Sequence, residues 1–363
     1  DYAKFTNVFY GGFDGNNILD ADMSRMNDRA TSTDLGGKAD GTLDIGISSD
    51  GTSTGAVSAF PAGVGRYNNG VFSYKTAIDI MTDPFVTRIN ILAIPGIRDA
   101  FVTDHAADKT KEYSKAIYLM DIPHFDDDIT RIYDNDGKKP DVGNTREKFD
   151  SRAVDNNYSA TYFPDVTIHD NVNDMKVKVP SSVAAIAALG FNDSISYPWF
   201  APAGFNRAAL SMVTNTTTRL NKADRDDLYD SRINPIASFP GAGFVIFGQK
   251  TLQQARSALD RVNVRRMLLE VKRLVVGVAE KIVFEANTAS TRAKFVSQVT
   301  PLLALVQSQQ GIEKFTVVMD TSNNTTEDIE NNRLNGRIVL VPTRAVEFVS
   351  VDFIITNAGV SFE

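Results

Sequence analysis

The sequence predicts a mixed α/β protein of more than one domain, and three observations carry that prediction. An apolar run, a helical stretch and a second apolar run follow one another between Ile89 and Pro123. The strongest helical periodicity starts at Leu259, and strand-like segments close the chain. With 363 residues, two domains, or one large domain with an insertion, are expected. At 42% hydrophobic and 23% charged residues the chain can bury a core and is not generally disordered.

The elements justify this in order. Thr31 to Gly70 contains nine glycines among Ser, Thr and Asp, too little apolar material for a core. Residues 1–70 therefore read as long loops and short strands, packed on something else or partly mobile. Asp1 to Tyr10 is neither a signal peptide nor a natural start, so the chain is expected to lack its true N-terminus. Tyr74 to Met81 reads as a short helix and Ile89 to Ile94 as a buried strand stopped by Pro95 and Gly96. A helix over Asp99 to Tyr113 and a strand over Ala116 to Pro123 complete a βαβ unit with two parallel strands.

Asp126 to Asp155 is charged and reads as loop, and Ser159 to Ile168 as one further strand. VPSSVAAIAALG predicts a helix of small residues, capped by Ser181 or Ser182 and stopped at Gly190. Phe191 to Arg207 is turn-rich and holds the single tryptophan, Trp199, read as a packing residue. Thr214 to Asp230 reads as a polar connection before the glycine-bounded strand GFVIFG. These segments place an outer α/β domain at 71–230 and a C-terminal domain at 231–363.

In the C-terminal domain, Val264, Met267, Leu268, Val271, Val275, Val278 and Ile282 form one apolar stripe. Arg261, Arg265, Arg266, Lys272, Arg273 and Lys281 surround it, opposed by Asp260, Glu270 and Glu280. A second helix spans Ala289 to Gln309, capped by Asn287 or Thr288, with Val296, Val299, Leu303 and Val306 inward. Pro301 is expected to kink or split it, at about 3 kcal/mol if unrelieved. FTVVMD and GRIVLVP are strands, and Val346 to Thr356 alternates as a half-buried edge strand.

Composition also narrows the chemistry. The absence of cysteine removes disulfides, thiolate metal sites and cysteine nucleophiles. A net charge of −7 argues against a nucleic-acid partner, and no apolar run of about 18 residues predicts a membrane span. Only His105, His124 and His169 are available for acid–base or metal work. His124 beside Asp126, Asp127 and Asp128 offers a hard-cation site, for which a solvated acidic loop is the simpler reading. DNDGKKPDVGN fails as a calcium loop, because Gly137 at its sixth position puts Ile132 first and Gly143 twelfth. No GxGxxG, Walker-type loop, HExxH or GxSxG occurs, so neither catalysis nor a metal or cofactor is expected.

Several segments then fall in the order of a known family. LAIPGI and YLMDIP flank the βαβ helix; YSATYFPDV, VPSSVAAIAALG and PWFAPAGFNR follow, the last ending in Arg207. NPIASFPGAGFVIFGQKTL supplies Asn234, Pro235, Gly241, Gly243 and Gly248, and RVNVRRMLLEVKR and VFEANT come after. In these the chain resembles the tail sheath proteins of contractile bacteriophages, and through them the sheaths of R-type pyocins and type VI secretion systems. It departs from the family pattern at Ala286 for proline, Lys250 for arginine and Ala208 for glycine.

The resemblance implies a multi-domain sheath fold, with a C-terminal sheet-and-helix domain facing a tail tube and an inserted outer domain. It implies a homo-oligomer in six-start helical array, with tail tube, baseplate and tail terminator proteins as partners, and a place in the virion after assembly in the host cytoplasm. Terminal arms would add strands to neighbouring subunits, here through Val346, Phe348, Val349, Val351, Phe353 and Ile355. Arg265, Arg266, Lys272 and Arg273, with Arg292 and Lys294, are expected to face an acidic tube; an intramolecular ion-pair surface is the competing reading. Without the family's N-terminal arm the chain is expected to polymerise poorly. A surface-binding module, suggested by the Gly/Ser/Asp-rich start, and a hydrolase at His124 are the alternatives from other classes.

Overall fold

The computed structural model of the protein describes residues 69–129, 131–132 and 138–347. The region expected at 1–70 lies outside them except for Asn69 and Gly70, which open α1 (Asn69–Met81). β1 (Ile91–Ala93), α2 (Ala100–Tyr113) and β2 (Ile117–Met120) follow. β1 and β2 are parallel, with Ile91 opposite Ile117, which is the βαβ unit read from the sequence. Asp99 starts α2 by accepting the Phe101 N–H at 2.9 Å.

The charged stretch after Pro123 is not all loop. β3 (His124–Phe125) pairs with β4 (Arg131–Ile132), and α3 (Val142–Asp150) follows. Asp141 caps α3 through the Asn144 N–H at 2.7 Å, and Val142, Thr145 and Phe149 bury its inner side. Three buried positions in nine residues are too few to stand out as a period.

Ser159 to Ile168, expected as one strand, is two. β5 (Ser159–Phe163) and β6 (Val166–Asp170) part at the cis Phe163–Pro164 bond and belong to different sheets. β6 pairs with β7 (Met175–Val179) on one side. α4 (Ser181–Ile195) runs past Gly190 without stopping and has Pro180 at its N-cap. Ser181 and Ser182 do not cap it: they lie in its first turn, where the Ser182 hydroxyl donates to Asp121 at 2.7 Å and the Ser181 hydroxyl to the Tyr162 carbonyl at 2.8 Å. The expected polar connection contains β8 (Val213–Thr216), the other neighbour of β6, and α5 (Lys222–Asp230), started by an Asn221–Asp224 capping box. β9 (Ile233–Phe239) and β10 (Gly243–Ile246) form a hairpin. α6 (Val262–Ala279), α7 (Ala289–Ser308), β11 (Ile312–Val318), α8 (Thr326–Glu330) and β12 (Arg337–Pro342) complete the described chain.

The central sheet has the order β1-β2-β5-β9-β10, its first four strands parallel and β10 antiparallel at the edge. β9 lies past the boundary expected at residue 230 yet bonds to β5, so that boundary cuts through a continuous sheet. Along β2 the side chains alternate. Tyr118 and Met120 enter a core with Val102 of α2, Phe149 of α3 and Leu228 of α5. Ile117 and Leu119 enter another with Ala184, Ala185 and Ala188 of α4 and Val262 and Leu269 of α6. Helices on both faces are why the strand reads as an unbroken apolar run.

A third core joins Val264, Met267 and Val271 of α6 to Phe295, Val299, Leu303 and Val306 of α7 and Ile312 of β11. Trp199 packs in it and donates its indole N–H to the Gln309 carbonyl at 2.9 Å. α7 stays one helix through Pro301, which sits at an exposed position where water can satisfy the carbonyl it leaves bare.

A buried polar node closes the carboxyl ends of β1, β2 and β5. Asp121 accepts the N–H groups of Gly96 and Ser182, both at 3.0 Å, and Arg98 pairs with Asp165. The His124 ring stands edge-on to Phe163 and its Nε2 lies 3.9 Å from Asp165. Burial pushes the Asp121 carboxyl up; Asp165, equally buried, is held below the usual range by Arg98, His124 and Lys178. Burial drives His124 down to about 3. This histidine stays neutral in the folded chain while the unfolded chain protonates it near 6.5, so it withdraws stability as pH falls through that window. Asp165 acts only below the ordinary carboxylate range, and Asp121 acts in the opposite sense. The urea midpoint of the protein should therefore fall more steeply between pH 6.5 and 4.5 than that of His124→Gln; parallel profiles would refute the assignment.

Candidate functional site

Of the family-motif residues, Asn234, Pro235 and Gly248 form one clasp. Asn234, fully buried on β9, donates from Nδ2 to the carbonyls of Thr161 at 3.0 Å and Lys250 at 2.8 Å, and its Oδ1 accepts the Lys250 N–H at 2.6 Å. A side chain thus does the work of a strand residue between β5 and the segment after β10. Pro235 stands opposite Phe163 on β5, and its carbonyl accepts the Phe247 N–H at 2.8 Å. At Gly248 a Cβ would lie 3.0 Å from both Asn234 Oδ1 and Pro235 Cδ, so the chain passes only as glycine. Gly241 and Gly243 take φ of +79° and +72° in the β9–β10 turn. Arg207 lies over the Phe200 ring at 4.6 Å. Lys250 extends to the Tyr229 carbonyl at 2.6 Å, ending α5, and burial lowers its pKa.

Beside this clasp the C-terminal segment is anchored. Glu347 accepts two bonds from Arg261, at 2.6 and 2.9 Å, one from the Tyr229 hydroxyl at 3.0 Å and one from Gln249 Nε2 at 3.2 Å. These four residues are spread over more than a hundred positions, and no local spacing announces them. Val346 lies outside any strand and is 80% exposed. Phe348, Val349, Val351, Phe353 and Ile355 lie outside the described residues. β11 and β12 form a two-stranded sheet, and among the described residues no further strand pairs with it.

The six cations assigned to a partner surface divide. Arg265 is only 2% exposed; its guanidinium lies 3.9 Å over the Tyr158 ring and donates to the Asn157 carbonyl at 3.0 Å. Arg266 is buried against Asp193 of α4, and Arg292 against Asn287 at 2.8 Å. These three do not form an open rim, because the first turns of α6 are covered on two sides and Arg292, on α7, is turned in against Asn287. Lys272 is half-buried on the Ser114 hydroxyl. Arg273, paired with Glu270, and Lys294, 3.9 Å from Glu285, remain exposed. His124 and Asp126 do not share a site either: Asp126 pairs with Lys138 at 2.7 Å, and among the described residues no His/Asp/Glu group is placed to hold a metal.

Residues 254–356 match the phage tail sheath C-terminal domain family. That segment is what the chain shares with the family. The tail sheath protein of Vibrio phage KVP40 is 34% identical over 210 residues, which cover 58% of this chain and 30% of that protein. For the tail sheath protein of Enterobacteria phage T4 the figures are 31% over 211 residues, 58% and 31%. The chain thus spans under a third of the length of these sheath relatives. In fold it is similar to a chain of the anti-feeding prophage baseplate (TM-score 0.62, 19% identity, 80% of this chain and 73% of that one). The contracted sheath complex of the PVC extracellular contractile injection system is alike to the same degree (TM-score 0.62, 18%, 77% and 74%). The mixed helix-and-strand architecture is a tail-sheath fold.

Two sets of variants test how the sheath fold holds these residues. Gly248→Ala should cost about 1–3 kcal/mol in urea unfolding, because the clasp around Asn234 cannot widen. Arg265→Glu and Arg266→Glu should each leave the chain unable to fold, while Arg273→Glu should stay within about 0.5 kcal/mol of wild type. Equal stability for all three reversals would place the arginines at the surface after all.

Proposed function

We propose that this chain is a structural subunit of a contractile phage tail sheath, assembling helically around a tail tube and shortening to drive it through the host envelope. The observation that carries the reading is the family match over 254–356 together with relatives at 31–34% identity that are tail sheath proteins. In this reading the chain works in the virion, among copies of itself, a tube, a baseplate and a tail terminator. Its work is mechanical: many subunit contacts differ between two arrangements, and no reactive centre is called for.

Two surfaces suit that role. The β11–β12 sheet offers edges to which a neighbour's terminal arm would add, and the segment beyond Glu347, apolar on alternate residues, is the arm this chain would send out. Toward the tube, Arg273 and Lys294 are the two of the six that stand exposed, and they would meet an acidic surface by exchanging Glu270 and Glu285 for it, while Arg265, Arg266 and Arg292 serve by holding α6 and α7 in place. Fold similarity to injection-system chains favours a second reading, a sheath of that kind; the sequence relatives favour the phage.

Electron microscopy of the full-length protein, alone and with tubes, tests the proposal. Sheath-like polymers are expected, and their loss when the chain is cut after Glu347 although the remainder still folds. A full-length protein that never polymerises and never decorates tubes would refute it.

A further inference from the structure

The surface next to the Glu347 anchor is aromatic. Phe205, on the loop between α4 and β8, Phe239, at the end of β9, and Phe247, just past β10, meet in one cluster. Their ring centroids lie 5.2 Å apart for Phe205 and Phe239, 5.9 Å for Phe205 and Phe247, and 5.0 Å for Phe239 and Phe247. Arg225 of α5 lies over the Phe239 ring at 5.0 Å. Rings packed on one another usually fill a core. Here Phe205 is 51% and Phe247 44% exposed, so the cluster is a contiguous apolar surface rather than a scatter of single side chains.

Covalent spacing fixes where this cluster lies relative to the anchor. Gln249 and Tyr229 both donate to Glu347. Phe247 precedes Gln249 by two residues, and Arg225 precedes Tyr229 by four, one turn back on the same face of α5. Either step is about 6–7 Å. The chain therefore leaves Glu347 beside the cluster. In the sequence that follows, Val349, Val351, Phe353 and Ile355 fall on alternate residues, which share one side of an extended chain. Phe348 to Ile355 can span roughly 26–29 Å when extended, several times the step from the anchor to the rings.

We propose that residues 348–355 dock on the Phe205, Phe239 and Phe247 cluster of their own molecule, with Glu347 as the fixed end. Tethering selects this occupant over a separate chain. A segment held at one end beside its site is presented at an effective concentration on the order of millimolar, so contacts too weak to recruit another molecule suffice in cis. Composition agrees, since Val, Phe and Ile on alternate residues match an apolar surface. The docking also answers a hazard: a loose segment of this pattern pairs with any open strand edge it meets, and cover on the body keeps it in reserve. The contact stands without the sheath reading. On that reading it holds the arm back in the dispersed subunit, because the same residues cannot lie on their own body and on a neighbour at once.

Chymotrypsin cleavage after Phe348 and Phe353 tests the docking on dilute, dispersed full-length protein, with the products read by mass. The protease cuts only the undocked population. Wild type should be cut there at least tenfold more slowly than Phe205→Ser with Phe247→Ser, and equally slowly when diluted further. The urea midpoint of the variant reports whether its body still folds; if it does not, Phe205→Ser alone, on a loop, should speed cleavage at least threefold. Equal rates in wild type and a folded variant overturn the proposal, whether both are fast because nothing docks or both slow because the segment docks elsewhere. Resistance that fades on dilution assigns the cover to a second copy and overturns it too. Wild-type protein that shows the resistance yet forms no sheath defeats the sheath reading and upholds this contact.

Discussion

The chain's architecture depends on α6 serving two cores at once. Val262 and Leu269 pack under the central sheet, and Val264, Met267, Val271 and Val278 pack against α7. A helix used on two sides has almost no free surface at its start, and every residue from Val262 to Met267 is buried. Two guanidinium groups in that stretch are tolerable only with answering partners, since an unpaired buried charge is far more costly than a paired one. Arg265 finds the π face of Tyr158 and the Asn157 carbonyl just before β5; Arg266 finds Asp193 near the end of α4. The arginines thereby tie α6 to the sheet and to α4, so that the sheet body and the α6–α7 body are held as one piece.

Polar side chains set the geometry wherever the backbone changes direction. After β2 and β5 the chain turns into Asp121 and Asp165, and the start of α4 meets both: Ser182 donates its N–H and its hydroxyl to Asp121, and the Ser181 N–H lies 3.3 Å from Asp165. Two carboxylates at one helix start gain from the partial positive charge of its free N–H groups, and Arg98 neutralises one of them. The Asn234 clasp acts likewise on the other side of the sheet, with Gly248 supplying the space the clasp needs.

What could be read from the sequence was what repeats locally. The βαβ unit, the long helices α6 and α7 and the strands β11 and β12 announce themselves by apolar runs and period, and the family segments by their order. α3, β8 and α5 did not, because each buries one to three residues and owes its place to neighbours distant in sequence; β7 buries none and rests on its hairpin with β6. The serines at the start of α4 read as caps because Ser at a helix start usually caps; here a buried carboxylate sixty positions away took the Ser182 hydroxyl and the Tyr162 carbonyl took that of Ser181. The basic residues of α6 read as a rim because periodicity finds the wettest and driest faces of a helix but cannot count how many bodies cover it. Arg265 and Arg266 sit where the second body arrives. The Glu347 anchor, assembled from Tyr229, Gln249 and Arg261, has no local signature at all.

That anchor bears on how a sheath subunit would transmit force. Pulling on a terminal segment does mechanical work on the body only if the segment is fixed to it; otherwise the slack is taken up as chain entropy, which changes slowly with length. Glu347 is joined by four hydrogen bonds to α5, to the segment after β10 and to the entry of α6, and α6 in turn is the element shared by two cores. A load applied beyond residue 347 is therefore delivered to the helix that the two cores share. The bidentate geometry matters here more than the charge, since a guanidinium and a carboxylate held in one plane resist rotation as well as separation. A subunit built this way can pass a neighbour's displacement to its own body without unfolding its edge, and on the proposed function that is what a contracting sleeve demands of every copy in it.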